Sequence, residues 1–373
     1  MGTANEKQNK RRGVLICGAY GYGNAGDDAI LEAIIQEMRG IDPDIHITVM
    51  SRNPKETERK YKVKSIFTFD VPAFLGEMRR AGLYINGGGS LIQDVTSRRS
   101  LWFYLFTIKA AKLLGCRVIM YGCGIGPVTR ARGKRNVRKV LNKYVDVITL
   151  RENHSRRELE DYGVRTPEII LSSDPAMILE PAPEEEVTAV MRSNGLDPHG
   201  RYICLCLRRW PGFREKSEFF AAAADYAIEK YGLQPIFLSI DQQNDSDAAD
   251  AVAAMMKGKA KILHKPLGTA KTIGILSRME LVVSMRLHGL IFASAQGAPL
   301  VGVSYDPKVT AFLDYIGQEL YTEFDSLSEG MLEPLIDEAV KLGTQREKLM
   351  EKAAALRAVE GRNLEAVRKL LSL

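Results

Sequence analysis

The stretch "GAYGYGNAGDDAILEAII" (residues 18–35) decides how this chain is read. The apolar run Val14, Leu15, Ile16 and Cys17 precedes it, and Ile30, Leu31, Ile34, Ile35 and Met38 follow at helical spacing, so it is a strand-to-helix turn. Gly21, Gly23 and Gly26 fit the G-x-G-x-x-G pattern, in which a helix N-terminus receives a dinucleotide pyrophosphate. Yet Asp27 and Asp28 follow immediately, and two carboxylates at that positive helix end repel a phosphate. The stretch predicts a Rossmann-like β-turn-α unit whose ligand is not a dinucleotide.

Outward from that unit, short apolar strands alternate with amphipathic helices, which predicts parallel sheets covered by helices on both faces. Strand candidates are 14–17, 45–50, 83–86, 118–121, 147–150 and 169–171. The proline- and acid-rich "LEPAPEEEV" (179–187) interrupts the pattern, which resumes at 202–207, 235–240, 281–284 and 300–303. The expected fold is α/β, with two Rossmann-like doubly wound domains facing a cleft. Their spans are 13–178 and 179–340, flanked by a basic tail (1–12) and C-terminal helices (341–373).

Composition narrows the class. With 373 residues, 45% hydrophobic and 26% charged, the chain reads as an ordinary globular protein of two domains. Its polar, basic start carries no apolar leader and no later run is long enough to span a membrane, which predicts a cytoplasmic protein. Five cysteines, odd in number and without metal-ligand spacing, read as reduced core residues. The net charge of +6 concentrates in "KQNKRR" (7–12) and "TRARGKRNVRK" (129–139). Such blocks suit phosphate-bearing partners, or simply a solvated tail and helix face. No nucleic-acid motif accompanies them, so no nucleic-acid partner is expected.

Polar and glycine-rich motifs fall at the carboxyl ends of the strand candidates, where doubly wound sheets bind ligands. In the second half these ends are cationic: Arg208 and Arg209, then Arg286 and His288, then Lys308 after Ser304 and Tyr305. Arginine forks and lysine charges bind phosphate and carboxylate. Singly, Arg286 reads equally well as an interdomain salt bridge and His288 as a helix cap. The first half offers Asn24, Asp27, Asp28, Asn86 and Asp94 near Gly26, Gly88 and Gly89, a set suited to holding a sugar. One of Asp27 and Asp28 is accounted for by helix capping, and "GGGS" (87–90) and "GCGIGP" (122–127) also read as turns.

Six motifs in order, "GYGNAGDDAIL" (21–31), "INGGGSLIQD" (85–94), "YGCGIGP" (121–127), "SSDPA" (172–176), "LCLRRW" (205–210) and "MRLHGLIFASAQGAPLVGVSYDPK" (285–308), resemble the polysaccharide pyruvyl transferases. The resemblance extends to the CsaB type, which pyruvylates bacterial secondary cell-wall polymer for S-layer anchoring. It implies a fold like the B-type glycosyltransferases, with the first domain taking the acceptor and the second the donor. The implied donor is phosphoenolpyruvate, a co-substrate rather than a cofactor. The implied product is a 4,6-O-pyruvyl ketal on N-acetylmannosamine in a polyprenyl-diphosphate-linked saccharide. Carried over, Arg286 and His288 match the family's R-L-H, tied to donor binding and proton transfer. Arg208 matches its donor-binding arginine, Arg209 could share that role, and Lys308 is a second donor contact. A first-domain arginine could be Arg130 or Arg151.

The chemistry suits these residue types. Protonating an enol phosphate at carbon, stabilising the resulting cation, deprotonating a sugar hydroxyl and releasing phosphate require a proton carrier such as His288, cations, and a carboxylate such as Asp27, Asp28 or Asp94. No step needs a metal. Rival readings are a nucleotide-sugar glycosyltransferase of the same architecture, a reductase whose Ser51 and Arg52 receive an NADPH 2′-phosphate, and a non-catalytic phosphosugar-binding protein. The segment 97–115, with Trp102, Phe103, Phe106 and Leu113 among Arg98, Arg99, Lys109 and Lys112, reads either as a core helix or as an interfacial helix at the inner leaflet.

Overall fold

Side chains alternate across a strand, so a strand buried on both sides serves two cores. The first strand does this. Leu15 and Cys17 join one apolar cluster with Phe74 and Ile108, whereas Val14 and Ile16 join another with Ile30, Ile34 and Met38. A computed structural model describes residues 13–95 and 97–372; the basic tail (1–12) lies outside the described residues. The chain divides into two units. One holds the residues up to Tyr22, Asp27–Ala176 and Ala358 onward, the other Gly23–Gly26 and Met177–Arg357.

In the first unit β1 (Gly13–Cys17), α1 (Ala25–Ile41), β2 (Ile47–Ser51), α2 (Pro54–Tyr61), β3 (Lys64–Phe67), α3 (Val71–Met78) and β4 (Ala81–Ile92) are followed by α4 (Arg98–Leu113), β5 (Arg117–Ile125), α5 (Ala131–Tyr144), β6 (Val147–Leu150), α6 (Asn153–Asp161) and β7 (Glu168–Leu171). The sheet is parallel in the order β3-β2-β1-β4-β5-β6-β7, with Cys17 beside both Met50 and Asn86. Strand order therefore reverses at β1, the switch point of a doubly wound sheet.

The second unit repeats this winding. It contains α7 (Glu184–Ser193), β8 (Tyr202–Cys206), α8 (Phe213–Tyr231), β9 (Gln234–Leu238), α9 (Gln242–Ala253), β10 (Lys261–Leu263), α10 (Thr269–Ser277) and β11 (Leu281–Ser284), then α11 (Leu287–Ala295), β12 (Leu300–Ser304), α12 (Pro307–Tyr315), β13 (Tyr321–Glu323) and α13 (Leu332–Gly343). The order is β10-β9-β8-β11-β12-β13, again parallel. The expected α/β class with two Rossmann-like units is what the chain adopts.

Several local expectations change. "GGGS" and "GCGI" are not turns after strands but the ends of β4 and β5. The physical reason is close packing: a Cβ on Gly88, whose φ is +60°, would stand 2.0 Å from Ile30 Cγ2 of α1. Strands β3, β10 and β13 lacked an apolar signal because they are three or four residues long and lie at sheet edges. The segment 97–115 forms α4, started by Ser97 accepting from Ser100 N at 3.3 Å. It buries Leu101, Tyr104, Leu105, Ile108 and Ala111, the core-helix reading, and exposes Trp102, Phe106 and Leu113 on its other side. No helix among the described residues is long and apolar enough to cross a membrane. All five cysteines are buried, and burial pushes the Cys17 and Cys123 thiols up to about 12, so neither is a thiolate at neutral pH.

The units part between Ala176 and Met177, inside the 3-10 turn Pro175–Ile178. The C-terminal stretch begins in the second unit and ends in the first, because α14 (Arg346–Leu371) belongs to the first unit from Ala358 on. There Asn363 Nδ2 donates to Ser173 O at 3.2 Å, and Ala366 and Val367 pack into the cluster that α1 builds. That placement buries Glu360 with Glu37 of α1. Burial, and the neighbouring carboxylate after it, raises Glu37 well above the ordinary carboxylate range, and burial likewise raises Glu360. A carboxyl that stays protonated when folded but ionises when unfolded costs stability as pH rises. Unfolding measured across pH should show the first unit losing stability from the ordinary carboxylate range up toward pH 9, the value to which Glu37 is raised. Glu37→Gln should flatten that slope.

Candidate functional site

The cationic strand ends of the second unit belong to β8, β11 and β12, which are neighbours in its sheet. Arg208 leaves β8 and donates from Nη1 to Tyr305 Oη at 2.6 Å, reaching past β11 to the end of β12. Its guanidinium lies 4.4 Å from the Tyr305 ring centre and 5.1 Å from that of Trp210, and the two rings are 4.6 Å apart. Aromatic faces attract a cation and restrict its rotamers. Lys308 Nζ stands 5.3 Å from the same Tyr305 ring and 3.4 Å from Asp306 Oδ2. Asp306 also caps α12, its Oδ1 accepting from Lys308 N at 3.0 Å, with Pro307 pre-set for the first turn. Ser304 is buried at the end of β12 with its hydroxyl on the Asp306 carbonyl.

Arg286 occupies the N-cap position of α11 and is buried. Its Nε lies 2.5 Å from Asp245 Oδ2 and its Nη2 3.1 Å from Asp241 Oδ2. The salt bridge anticipated for Arg286 as an interdomain one has both partners in its own unit, Asp241 at the N-cap of α9 and Asp245 in its first turn. Burial opposes the arginine's charge, but Asp245 and Asp241 hold it above its ordinary range. Burial raises the Asp245 carboxyl despite Arg286. Asp245 Oδ1 also accepts from Arg209 N at 3.1 Å, so one aspartate ties the ends of β8 and β11 together. The Arg209 side chain points outward, 3.3 Å from exposed Asp247, a surface pair of little energetic weight. Beside these groups opens a hollow of about 740 Å³ that Arg208, Trp210, Arg214, Asp241, Asp245 and Arg286 help to line.

His288 sits in the first turn of α11, half-buried, its ring 5.9 Å from Phe292. The loop that carries the third glycine of the opening motif belongs to this unit. Asn24 bridges Asp241, Ala25 N donates to Ile240 O at 2.9 Å, and Asn24 Oδ1 accepts from Gly26 N at 2.9 Å. A Cβ on Gly26 would fall 2.0 Å from His288 Nδ1. The glycine that resembled part of a pyrophosphate cradle is the space an imidazole fills. Gly289 has a similar role, since a Cβ there would meet Ser284 Oγ at 2.5 Å and Cys206 Cβ at 3.1 Å.

The first unit treats its expected site residues differently. Asp28 is paired with Lys60 of α2 at 3.0 Å. Asp27 lies beside Gly89, whose hypothetical Cβ would be 3.5 Å from Asp27 Oδ1. Asn86 is fully buried and Gly88 is a packing glycine. Asp94 Oδ1 accepts from Thr129 N at 2.8 Å and from Thr129 Oγ1 at 3.0 Å, which fastens one loop to another. Arg130 is exposed at the start of α5. Arg151 is buried, with Nη1 3.0 Å from Asp174 Oδ2 and Nη2 3.2 Å from Ser90 Oγ. The "GGGS", "GCGIGP" and "SSDPA" motifs thus converge on Arg151, because Gly124 leaves room for its guanidinium. Ser51 and Arg52, weighed for an NADPH phosphate, are engaged elsewhere: Ser51 Oγ accepts from Asn53 N at 3.0 Å and Arg52 stacks on Phe67 and Phe69 at 5.1 Å.

Asp241, Asp245 and Trp210 were missed as site residues. The signal for the aspartates was available in "SIDQQNDSD" (239–247), a carboxylate-rich turn at a strand's carboxyl end, within reach of cations that need partners. Removing one partner of a buried ion pair typically costs about 3–5 kcal/mol, because the other charge stays buried. Asp245→Ala should therefore destabilise the second unit by about that much in denaturant unfolding, whereas exposed Asp247→Ala should change stability by under about 1 kcal/mol.

The polysaccharide pyruvyl transferase family model matches residues 24–307. The amylovoran biosynthesis protein AmsJ of Erwinia amylovora is 22% identical over 390 aligned residues, covering 86% of this chain and 90% of that protein. Among solved structures, a glycosyltransferase from Rickettsia africae superposes with a TM-score of 0.63 at 10% identity, covering 97% of this chain and 99% of that one. UDP-GlcNAc 2-epimerase from Neisseria meningitidis gives 0.64 at 10% identity, covering 96% and 100%. The fold is thus that of B-type glycosyltransferases and related epimerases, and across more than two thirds of its length the chain belongs to the polysaccharide pyruvyl transferase family.

Proposed function

We propose that the protein transfers the three-carbon unit of phosphoenolpyruvate to two hydroxyls of one sugar, forming a 4,6-O-pyruvyl ketal on N-acetylmannosamine in a polyprenyl-diphosphate-linked saccharide. The observation that carries the reading is the grouping of Arg208, Arg286, His288 and Lys308 at the ends of three adjacent strands, with Arg208 held on Tyr305 and Arg286 held by Asp241 and Asp245. Two fixed guanidiniums and a lysine suit a small ligand bearing both phosphate and carboxylate. The chemistry then follows in balanced steps. A proton from His288 adds to the methylene carbon, leaving a cationic C2. The first sugar hydroxyl attacks C2 and loses its proton, phosphate departs with its bonding electrons to regenerate a cation at C2, and the second hydroxyl closes the ketal and loses its proton. The arginines and Lys308 neutralise the departing phosphate. A carboxylate, Asp27, Asp28 or Asp94, accepts a hydroxyl proton.

Purified protein mixed with phosphoenolpyruvate and a lipid-linked N-acetylmannosaminyl disaccharide should release phosphate and add the mass of a pyruvate ketal to the saccharide. Consumption of a nucleotide sugar instead would replace the proposal with glycosyl transfer. His288→Gln should lower turnover by roughly a hundred- to ten-thousand-fold, the range for a positioned general acid, with its melting temperature unchanged. Full activity would return His288 to a structural role. Gly26→Ala, which displaces the imidazole without removing it, should also lower turnover. Phosphoenolpyruvate at about one hundred times its Kd should stabilise the wild-type chain by about 2.7 kcal/mol, and Arg208→Ala should lose most of that shift.

A further inference from the structure

The first unit carries an aromatic surface that its core does not need. On α4, Trp102, Phe106 and Leu113 face outward, 48%, 46% and 66% exposed, in one stripe with Lys109. Arg98 and Arg99, both exposed, begin that stripe. The loop after β3 extends it: Phe69 is 52% exposed and its ring is 5.3 Å from that of Phe103 on α4 and 5.9 Å from that of exposed Phe67. Arg52 lies over both rings at 5.1 Å and over exposed Tyr22 at 5.6 Å, while Arg132 of α5 lies 5.9 Å from the Trp102 ring. Five exposed or ring-stacked cations thus border a set of uncovered aromatic and aliphatic groups. The neighbouring carboxylates Asp70 and Asp94 are engaged, Asp70 with Ala73 N at 2.9 Å and Asp94 with Thr129.

We propose that this face docks the protein on a bilayer containing anionic lipid. A contiguous uncovered apolar patch marks an interaction surface. Tryptophan and phenylalanine favour the headgroup boundary, and flanking arginines and lysines add attraction to negative headgroups. An acidic protein partner would answer the cations but not the lone outward rings and Leu113. A neutral apolar partner would leave the arginines without counterparts. The inference concerns a surface remote in residue content from Arg208, Arg286 and His288, and it stands whether or not the proposed reaction does.

The test is flotation of the purified full chain with phosphatidylcholine vesicles, with and without phosphatidylglycerol, at low and high salt. Binding should require phosphatidylglycerol and weaken with salt. Basic residues at an anionic surface contribute about 1 kcal/mol each, so Arg98→Ala with Arg99→Ala should reduce partitioning on the order of thirtyfold. Trp102→Ser with Phe106→Ser should reduce binding even at low salt. Each of these side chains is exposed, and unchanged melting temperatures will establish that the variants fold. Absence of flotation, or flotation unaltered in both double variants, would overturn the proposal, the latter assigning binding to other residues such as 7–12. Loss of self-association in sedimentation, with flotation unchanged, would overturn it in favour of a second copy of the chain.

Discussion

A buried arginine must be answered by acceptors in fixed places, and in this protein that requirement organises the carboxyl-end edge of the second unit's sheet. Arg286 is held by Asp245 and Asp241, and Asp245 in turn takes the backbone N–H of Arg209. The ends of β8, β9 and β11 are thereby fixed against one another by a single charged knot. Such a knot adds little net stability, since desolvation of the ions offsets much of their attraction. What it supplies is a guanidinium whose orientation is fixed by two carboxylates; for the proposed donor site such fixing would lower the ordering cost of binding. Arg208 reaches the same end differently, through the faces of Trp210 and Tyr305.

Glycines make the close approaches on which both units rely. In the first unit Gly88 lets α1 press against β4, and Gly124 admits the Arg151 side chain to Ser90 and Asp174. In the second, Gly26 leaves the volume that His288 fills, and Gly289 lets α11 lie over Ser284 and Cys206. Gly26 and Gly88 read from sequence as ligand-near and Gly124 equally as part of a turn, because a glycine that clears space for a ligand and one that clears space for a side chain are the same residue. What tells them apart is the atom on the other side.

The fold class was legible in β1 and α1 and in the recurrence of their pattern along the chain. An apolar run, a glycine turn and a helix with residues at 30, 31, 34, 35 and 38 buried fix a β-turn-α unit by periodicity, and its recurrence predicts parallel sheets. The edge strands β3, β10 and β13 were not legible, since three or four residues with few apolar side chains carry no period. Nor was the path of α14, whose last turns supply Ala366 and Val367 to a core begun three hundred and more residues earlier.

By itself the sequence determined where the candidate cations stand: Arg208 and Arg286 just beyond apolar strands, and His288 and Lys308 in the first turns of the helices that follow. Tertiary structure decided what each is set beside, because the strand order β9-β8-β11-β12 makes neighbours of segments far apart in the chain. It gave Arg286 to two aspartates, seated Arg208 on Tyr305, turned Arg151 inward, and paired Asp28 with Lys60 and Asp94 with Thr129. Ion pairing and close packing act through distance in space, and a one-dimensional pattern holds that distance only within a single helix or strand.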